Sequence, residues 1–238
     1  MVKPDNLDVL GQLAYDVLND LDFDDIVVHS DLCNPDILPK ETLFRPEFML
    51  FEVEEVALKH LNGRVLDVGS GFGSISQIVK SKGFEVEGID TSQGAVDYQE
   101  EIGLKAKCVD FFEFEGENYD TILMMMNGIG IVGTMRRMPE FFQKLDQLLS
   151  PNGKALIDSS DIAYLYENED GSIYVNLDQD YYGEMKYQMQ YKENYGEWFD
   201  WLYIDFETLS KLADENGFTA TQLFEDNNNH YLAELKRK

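Results

Sequence analysis

The stretch Arg64–Ser74 reads RVLDVGSGFGS, and it constrains the fold more than any other part of the chain. An apolar run ending at Val68 predicts a short buried strand. Gly69, Gly71 and Gly73 then stand two apart, and Ile75, Ile78 and Val79 share one face of a predicted helix. A strand that feeds a helix through a glycine-rich turn opens a βαβ unit, and such units build mainly parallel sheets with right-handed crossovers. Glycine in the turn lets main-chain N–H groups approach a ligand with no Cβ in the way. The helix N-terminus behind the turn offers further unpaired donors.

The alternation continues downstream. EVEGID predicts a second strand, SQGAVDYQEEIG a helix closing on Gly103, KAKCVD a third strand and YDTILMMMN a fourth. From Arg137 to Leu149 a helix is expected, with Met138, Phe141, Phe142, Leu145 and Leu148 on one face. PNG reads as a turn and KALIDSSD as a fifth strand. Residues 162–204 break the rhythm: MKYQMQY alternates along a strand and EWFDWLYID is strongly aromatic, so antiparallel hairpins are expected there. Asp205 caps a predicted helix running to Gly217, and FTATQLF and HYLAELK form a closing hairpin. Upstream, Leu7, Leu10, Ala14, Val17, Leu18 and Leu21 predict a helix over residues 5–22. Residues 29–46 read as loop, and a helix is expected from Pro46 to a left-handed cap at Gly63.

Composition narrows the partners. Hydrophobic residues make up 44% of the 238, enough for a real core in one domain. The 19 basic against 46 acidic residues give a net charge of −27, which repels phosphate backbones and anionic lipid heads. A small, neutral or cationic ligand suits that field, with no nucleic acid and no membrane as partners. No apolar run reaches transmembrane length and the start has no apolar signal core. Cys33 and Cys108, the latter in a strand expected to be buried, suggest no disulfide framework and hence a cytoplasmic protein. His29, His60 and His230 lack metal-ligand spacing, read as surface or loop residues, and give no metal site.

Asp67, Asp90 and Asp110 carry the chemistry. Each lies at the carboxyl end of a successive predicted strand, where open α/β sheets bind ligands. Singly, each reads as a turn or cap residue; their joint placement favours a shared site. A carboxylate ending the second strand accepts ribose hydroxyls. Asp110 followed by Phe111 suits the amino edge and face of adenine.

Taken together, VLDVGSGFG, GID, VDFF, YDTILMMMN and LSPNGKALI resemble, over residues 45–160, the class I S-adenosylmethionine-dependent methyltransferases. The resemblance implies a Rossmann-like α/β fold: a seven-stranded, mainly parallel sheet with one antiparallel strand, plus inserted β-hairpins after the fifth strand. It implies an N-terminal helix and cap (1–45), a cofactor-binding core (46–161), an aromatic acceptor cover (162–204) and a closing helix and hairpin (205–238). It also implies that S-adenosylmethionine is held by Asp67, Gly69, Ser70 and Gly71 at its methionine end. Asp90 and Thr91 would hold the ribose, and Asp110 and Phe111 the adenine. Met126 and Asn127 would face the sulfonium. Arg45 would pair with the cofactor carboxylate, a plain surface role being the alternative.

Three departures bear on the acceptor and the competing readings. Ser74 replaces the third glycine of the dinucleotide fingerprint, which counts against an NAD(P)-binding oxidoreductase. FEFEGEN is too short for a crossover helix. NGIGIVG lacks the NPPY-type motif of many nucleic-acid and protein amide methyltransferases. A small-molecule acceptor is therefore expected, with Asp158 and Tyr164 as candidate bases and Asp161, Trp201 and Tyr203 beside the acceptor. Core packing and helix capping remain the plainer roles for these residues. A non-catalytic cofactor-binding interaction protein is the other alternative, and oligomeric state is open.

Overall fold

The computed structural model describes residues 4–166 and 181–238. Its first part holds α1 (Val9–Leu18), β1 (Ile26–Ser30), β2 (Asp36–Leu38), α2 (Lys40–Leu43) and α3 (Glu52–Lys59). Then come β3 (Val65–Val68), α4 (Ser74–Ser81), β4 (Val86–Asp90), α5 (Gln93–Glu101), β5 (Ala106–Cys108) and β6 (Tyr119–Met124). After these follow α6 (Met138–Leu148), β7 (Leu149–Ser160), β8 (Glu184–Tyr191), β9 (Asn194–Tyr195) and β10 (Phe199–Leu202). The chain closes with α7 (Phe206–Glu215), β11 (Phe218–Glu225) and β12 (His230–Arg237).

Seven strands form one sheet in the order β11-β12-β7-β6-β3-β4-β5. The pairs β3/β4, β4/β5 and β6/β7 are parallel, while β12 runs antiparallel to both β7 and β11. This is the Rossmann-like sheet with one reversed strand that the motif order implies. No helix separates β5 from β6, as the short FEFEGEN link requires.

The hairpins expected after the fifth strand are present as β8, β9 and β10, but they do not stand alone. They join a second sheet, ordered β10-β8-β1-β2 with β9 on β8. Residues 29–46 are therefore not simply loop. β1 and β2 pair antiparallel, and β1 pairs antiparallel with β8 from Val27↔Gln190 to Ser30↔Tyr187. Strands of five and three residues carry too little alternation to read locally, and the partner that fixes them lies far along the chain.

Two other local expectations change. The helix expected from Pro46 is split: Glu47–Met49 is a single 3₁₀ turn, Leu50 is extended, and α3 starts at Glu52. PNG does not end an element. Tyr119 pairs with Leu149 and Thr121 with Lys154, so Pro151–Gly153 is carried as a bulge inside β7. A Cβ at Gly153 would lie 2.6 Å from the Tyr119 carbonyl oxygen, which is why glycine sits there.

The chain divides into two compact units. The first is built from the described residues of Met1–Phe51, Asn62–Phe114 and Lys186–Phe199, and the second from those of Glu52–Leu61, Glu115–Met185 and Asp200–Lys238. In the first, Val9, Leu13, Ala14, Ile26, Phe72, Ala95 and Tyr191 share one buried cluster. Tyr191 is thus core, and its hydroxyl donates to Asp16 at 2.8 Å. In the second, Phe141, Phe142, Leu145 and Leu148 of α6 are buried, as their spacing predicts.

Candidate functional site

In the first unit the glycine turn follows β3 directly. Gly69, Gly71 and Gly73 all take left-handed backbone, with φ of 68°, 52° and 74°. Gly73 and Gly71 differ in their surroundings. A Cβ at Gly73 would lie 2.5 Å from Leu104 Cδ1 and 2.9 Å from Gln99 Cγ, so tight packing and left-handed backbone together favour glycine there. A Cβ at Gly71 would meet nothing within 4 Å. Space beside that main chain is open, as ligand approach requires.

Phe72 and Gln99, for which the sequence alone gives no signal, brace this turn together with Ser74. Phe72 is buried, 4.5 Å from the Phe44 ring and edge-on to Tyr98 at 5.5 Å. Gln99, fully buried on α5, donates from Nε2 to Ser70 Oγ and to the Gly71 carbonyl, both at 2.8 Å. Ser74 donates to the Leu43 carbonyl at 2.6 Å, which gives the residue that breaks the dinucleotide fingerprint a role of its own. None of these partnerships has a local signature, because each partner lies 26 or more residues away.

Asp67 and Asp90 lie on the adjacent parallel strands β3 and β4, and Asp110 follows two residues after the end of β5, the next strand along. Asp67 is buried and accepts from Ser76 Oγ at 2.7 Å. Asp90 accepts from the Gly71 N–H at 2.8 Å and the Ser92 N–H at 2.9 Å. Burial pushes the Asp90 carboxyl above its usual range; the N–H groups of Ser92 and Gly71 pull the other way, and the Asp8 carboxylate adds to the rise. Asp110 accepts from the Phe112 N–H at 2.7 Å through Oδ1; among the described residues its Oδ2 has no hydrogen-bond partner. Phe111 is buried, its ring 5.2 Å from Phe112, and Phe112 is the more accessible of the two. Thr91 follows Asp90, and its carbonyl accepts from Cys108 Sγ at 3.4 Å. Cys108 is exposed at the sheet edge, not buried as its strand suggested, because β5 is an edge strand only three residues long.

Asp8 caps α1 through the Gly11 N–H at 2.8 Å and accepts from Ser92 Oγ at 2.6 Å and the Gly94 N–H at 3.0 Å. One carboxylate thus serves the N-termini of both α1 and α5. Arg45 is 4% exposed, donates to the Thr42 carbonyl and lies over the Phe51 ring at 5.2 Å. A plain surface role does not describe it.

The remaining candidates belong to the second unit. After β6, Met126 and Asn127 both take left-handed backbone, with φ of 66° and 56°. That conformation costs about 1–2 kcal/mol for an L residue, least for Asn. Ser160 Oγ donates to Asn127 Oδ1 at 2.8 Å, and the Gly130 N–H donates to the Asn127 carbonyl at 2.9 Å. Asp158 is fully buried. Its Oδ1 accepts from the Gly128 N–H at 3.0 Å and its Oδ2 from His230 Nε2 at 2.8 Å. His230 is therefore neither a surface nor a loop residue; it opens β12 and pairs with β7.

Asp161 accepts from the Tyr182 hydroxyl at 2.7 Å, and Asp205 accepts from Tyr181. Burial first, and these carboxylates with it, push both phenols up, so they stay protonated donors at neutral pH. Tyr164 is exposed. Trp201 packs on Gly130, where a Cβ would fall 1.9 Å from its indole ring. The Tyr203 N–H donates to the Gly183 carbonyl at 2.8 Å. The part of the aromatic insert spanning 167–180 lies outside the described residues.

Comparison with known proteins places this geometry. A family described as a methyltransferase domain matches residues 43–223. A solved S-adenosylmethionine-dependent methyltransferase from Bacteroides fragilis, in complex with S-adenosyl-L-homocysteine, is similar over 98% of this chain and 96% of its own, at 42% identity and a TM-score of 0.91. The CcbJ methyltransferase of Streptomyces caelestis shares the fold over 78% of this chain and 88% of its own, with a TM-score of 0.60 and 12% identity. The curated protein YqeM of Bacillus subtilis is 26% identical over 126 residues, so the match spans about half of either chain (50% and 51%).

Proposed function

The chain belongs to the class I S-adenosylmethionine-dependent methyltransferases, and from that premise we propose that it moves a methyl group from S-adenosylmethionine to a small, neutral or cationic molecule. One observation carries the reading. Asp67 and Asp90 stand at the C-terminal ends of two adjacent parallel strands and Asp110 two residues past the end of a third, with the turn after β3 open along its main chain at Gly71.

The residues fit the cofactor chemically. Asp90 offers carboxylate oxygens to the two ribose hydroxyls, with Thr91 beside it. The unpartnered oxygen of Asp110 suits an exocyclic amino group, and Phe111 and Phe112 supply apolar surface for an adenine. Asp67, Ser70 and the backbone of Gly69 and Gly71 are assigned to the methionine end, with Arg45 for its carboxylate. Met126 and Asn127 are assigned to the methyl side. When bound, S-adenosylmethionine supplies the activated methyl group. The protein's part is to align the acceptor and exclude water, and alignment can lower the barrier by about 7–11 kcal/mol.

The charge of −27 supports a neutral or cationic acceptor over nucleic acid. Asp158 is fully buried between the Gly128 N–H and His230, so it is assigned to structure, and Asp161, Trp201 and Tyr203 to the acceptor side. Cys33 and Cys108 are free thiols, which fits a cytoplasmic location. No helix among the described residues is long and apolar enough to cross a membrane.

Calorimetry with S-adenosylmethionine and S-adenosylhomocysteine tests the first half of the proposal; micromolar binding is expected. Incubation with isotope-labelled methyl donor and a metabolite extract tests the second, with label appearing in a small molecule. Absence of binding by a folded sample overturns the proposal. Label confined to protein or nucleic acid overturns the acceptor class.

A further inference from the structure

Two consecutive left-handed residues without glycine, Met126 and Asn127, need an external hold, and the fold supplies one. The Gly128 N–H, immediately after them, is bound by Asp158 Oδ1 at 3.0 Å. A Cβ at Gly128 would lie 2.8 Å from that of Met124, so the turn is also fixed by close packing. Asp158 is fully buried, and the side chain on its other oxygen is His230, at 2.8 Å and 24% exposed. A buried carboxylate needs a partner to stay ionised. His230 provides that partner and keeps one side open to solvent.

We propose that His230 is a positioning residue for methyl transfer, acting through Asp158 to hold the Met126–Gly128 turn in its left-handed form. This rests on the assignment of Met126 and Asn127 to the methyl side. Wall residues of a reaction site must be held to within about 0.5 Å of their productive geometry, so a loosened turn costs function before it costs folding.

The groups facing His230 give the hold a pH dependence. Asp158 comes from β7, Asp226 from the β11–β12 turn, where it also accepts the His230 N–H at 3.0 Å, and Glu54 from α3. Burial alone would lower the imidazole, but Asp158 first, then Asp226 and Glu54, raise it above 6.5. The charged pair is therefore complete below that ordinary value and is lost as pH rises through the raised one.

The test uses the full chain and S-adenosylhomocysteine as probe, by calorimetry from pH 6 to 9. Wild type is expected to lose affinity three- to tenfold across that range. His230→Gln, which can donate a hydrogen bond but does not titrate, is expected to bind within about twofold of wild type at pH 9 and to show no inflection. His230→Ala is expected to bind more weakly at every pH. In parallel, the Gly128 amide signal of labelled wild type should titrate with the His230 ring, a readout that needs no variant. A flat wild-type profile, or an inflection that survives in His230→Gln, overturns the proposal. Failure of wild type to bind the probe at any pH overturns the methyltransferase reading instead, while the shared titration of Gly128 and His230 still decides whether the hold exists.

Discussion

Asp90 is a carboxylate that the fold by itself penalises. Burial raises its pKa, and two backbone N–H groups only partly offset the cost. A raised aspartate leaves stability intact below the unfolded value near 3.8 and erodes it as pH climbs through the folded one. Asp90→Asn removes the buried charge but leaves one of the two N–H groups facing an amide NH2. Without cofactor at pH 7 it should therefore melt lower, being less stable by about 1–3 kcal/mol, and lose this pH dependence. Its affinity for S-adenosylhomocysteine should fall roughly 10- to 100-fold, on the scale of about 1.5–3 kcal/mol for a hydrogen bond to a charged group. Paired melting and calorimetry check both halves. The glycines make a second contrast. Gly73→Ala drives a methyl group into Leu104 and Gln99 and should cost about 2–4 kcal/mol in urea unfolding, from strained backbone and overpacking together. Gly71→Ala meets nothing in the fold, so it should cost only about 1–2 kcal/mol of backbone strain yet weaken the cofactor disproportionately.

At the scale of elements, one side chain joins the N-termini of α1 and α5. Asp8 accepts from Gly11, Ser92 and Gly94, capping α1 and α5 together. Asp8→Ala removes the cap of α1 and the bond to the Gly94 N–H, while Ser92 still caps α5 through the Ala95 N–H, and should cost about 1–3 kcal/mol, seen as a lower urea midpoint with unchanged slope. The β3–α4–β4–α5 run was legible because each element announces itself locally: apolar strand, glycine turn, apolar helix face, glycine stop. Asp67, Asp90 and Asp110 were legible for the same reason, since strand ends mark them. What stayed hidden depends on distant partners. β1 and β2 need β8, Asp8 needs Ser92 across 84 positions, and His230 needs Asp158 across 72. Short segments and lone polar residues carry no periodicity that could reveal such partners.

Across the whole molecule, the net charge of −27 works against compactness. Added salt screens that repulsion, with a Debye length falling from about 30 Å at 0.01 M to about 8 Å at 0.15 M. The melting temperature should rise with sodium chloride over that range; a fall would mean that ion pairs such as Lys154–Glu234 outweigh the global repulsion. The same charge is the physical reason for favouring a small acceptor that is not an anion. The position of a bound adenosyl group decides between these assignments and any other. A crystal structure with S-adenosylhomocysteine is expected to show ribose hydroxyls on Asp90, the adenine amino group on Asp110 and the ligand's main contacts along Gly69–Gly71. An adenosyl group bound away from those carboxylates would contradict it.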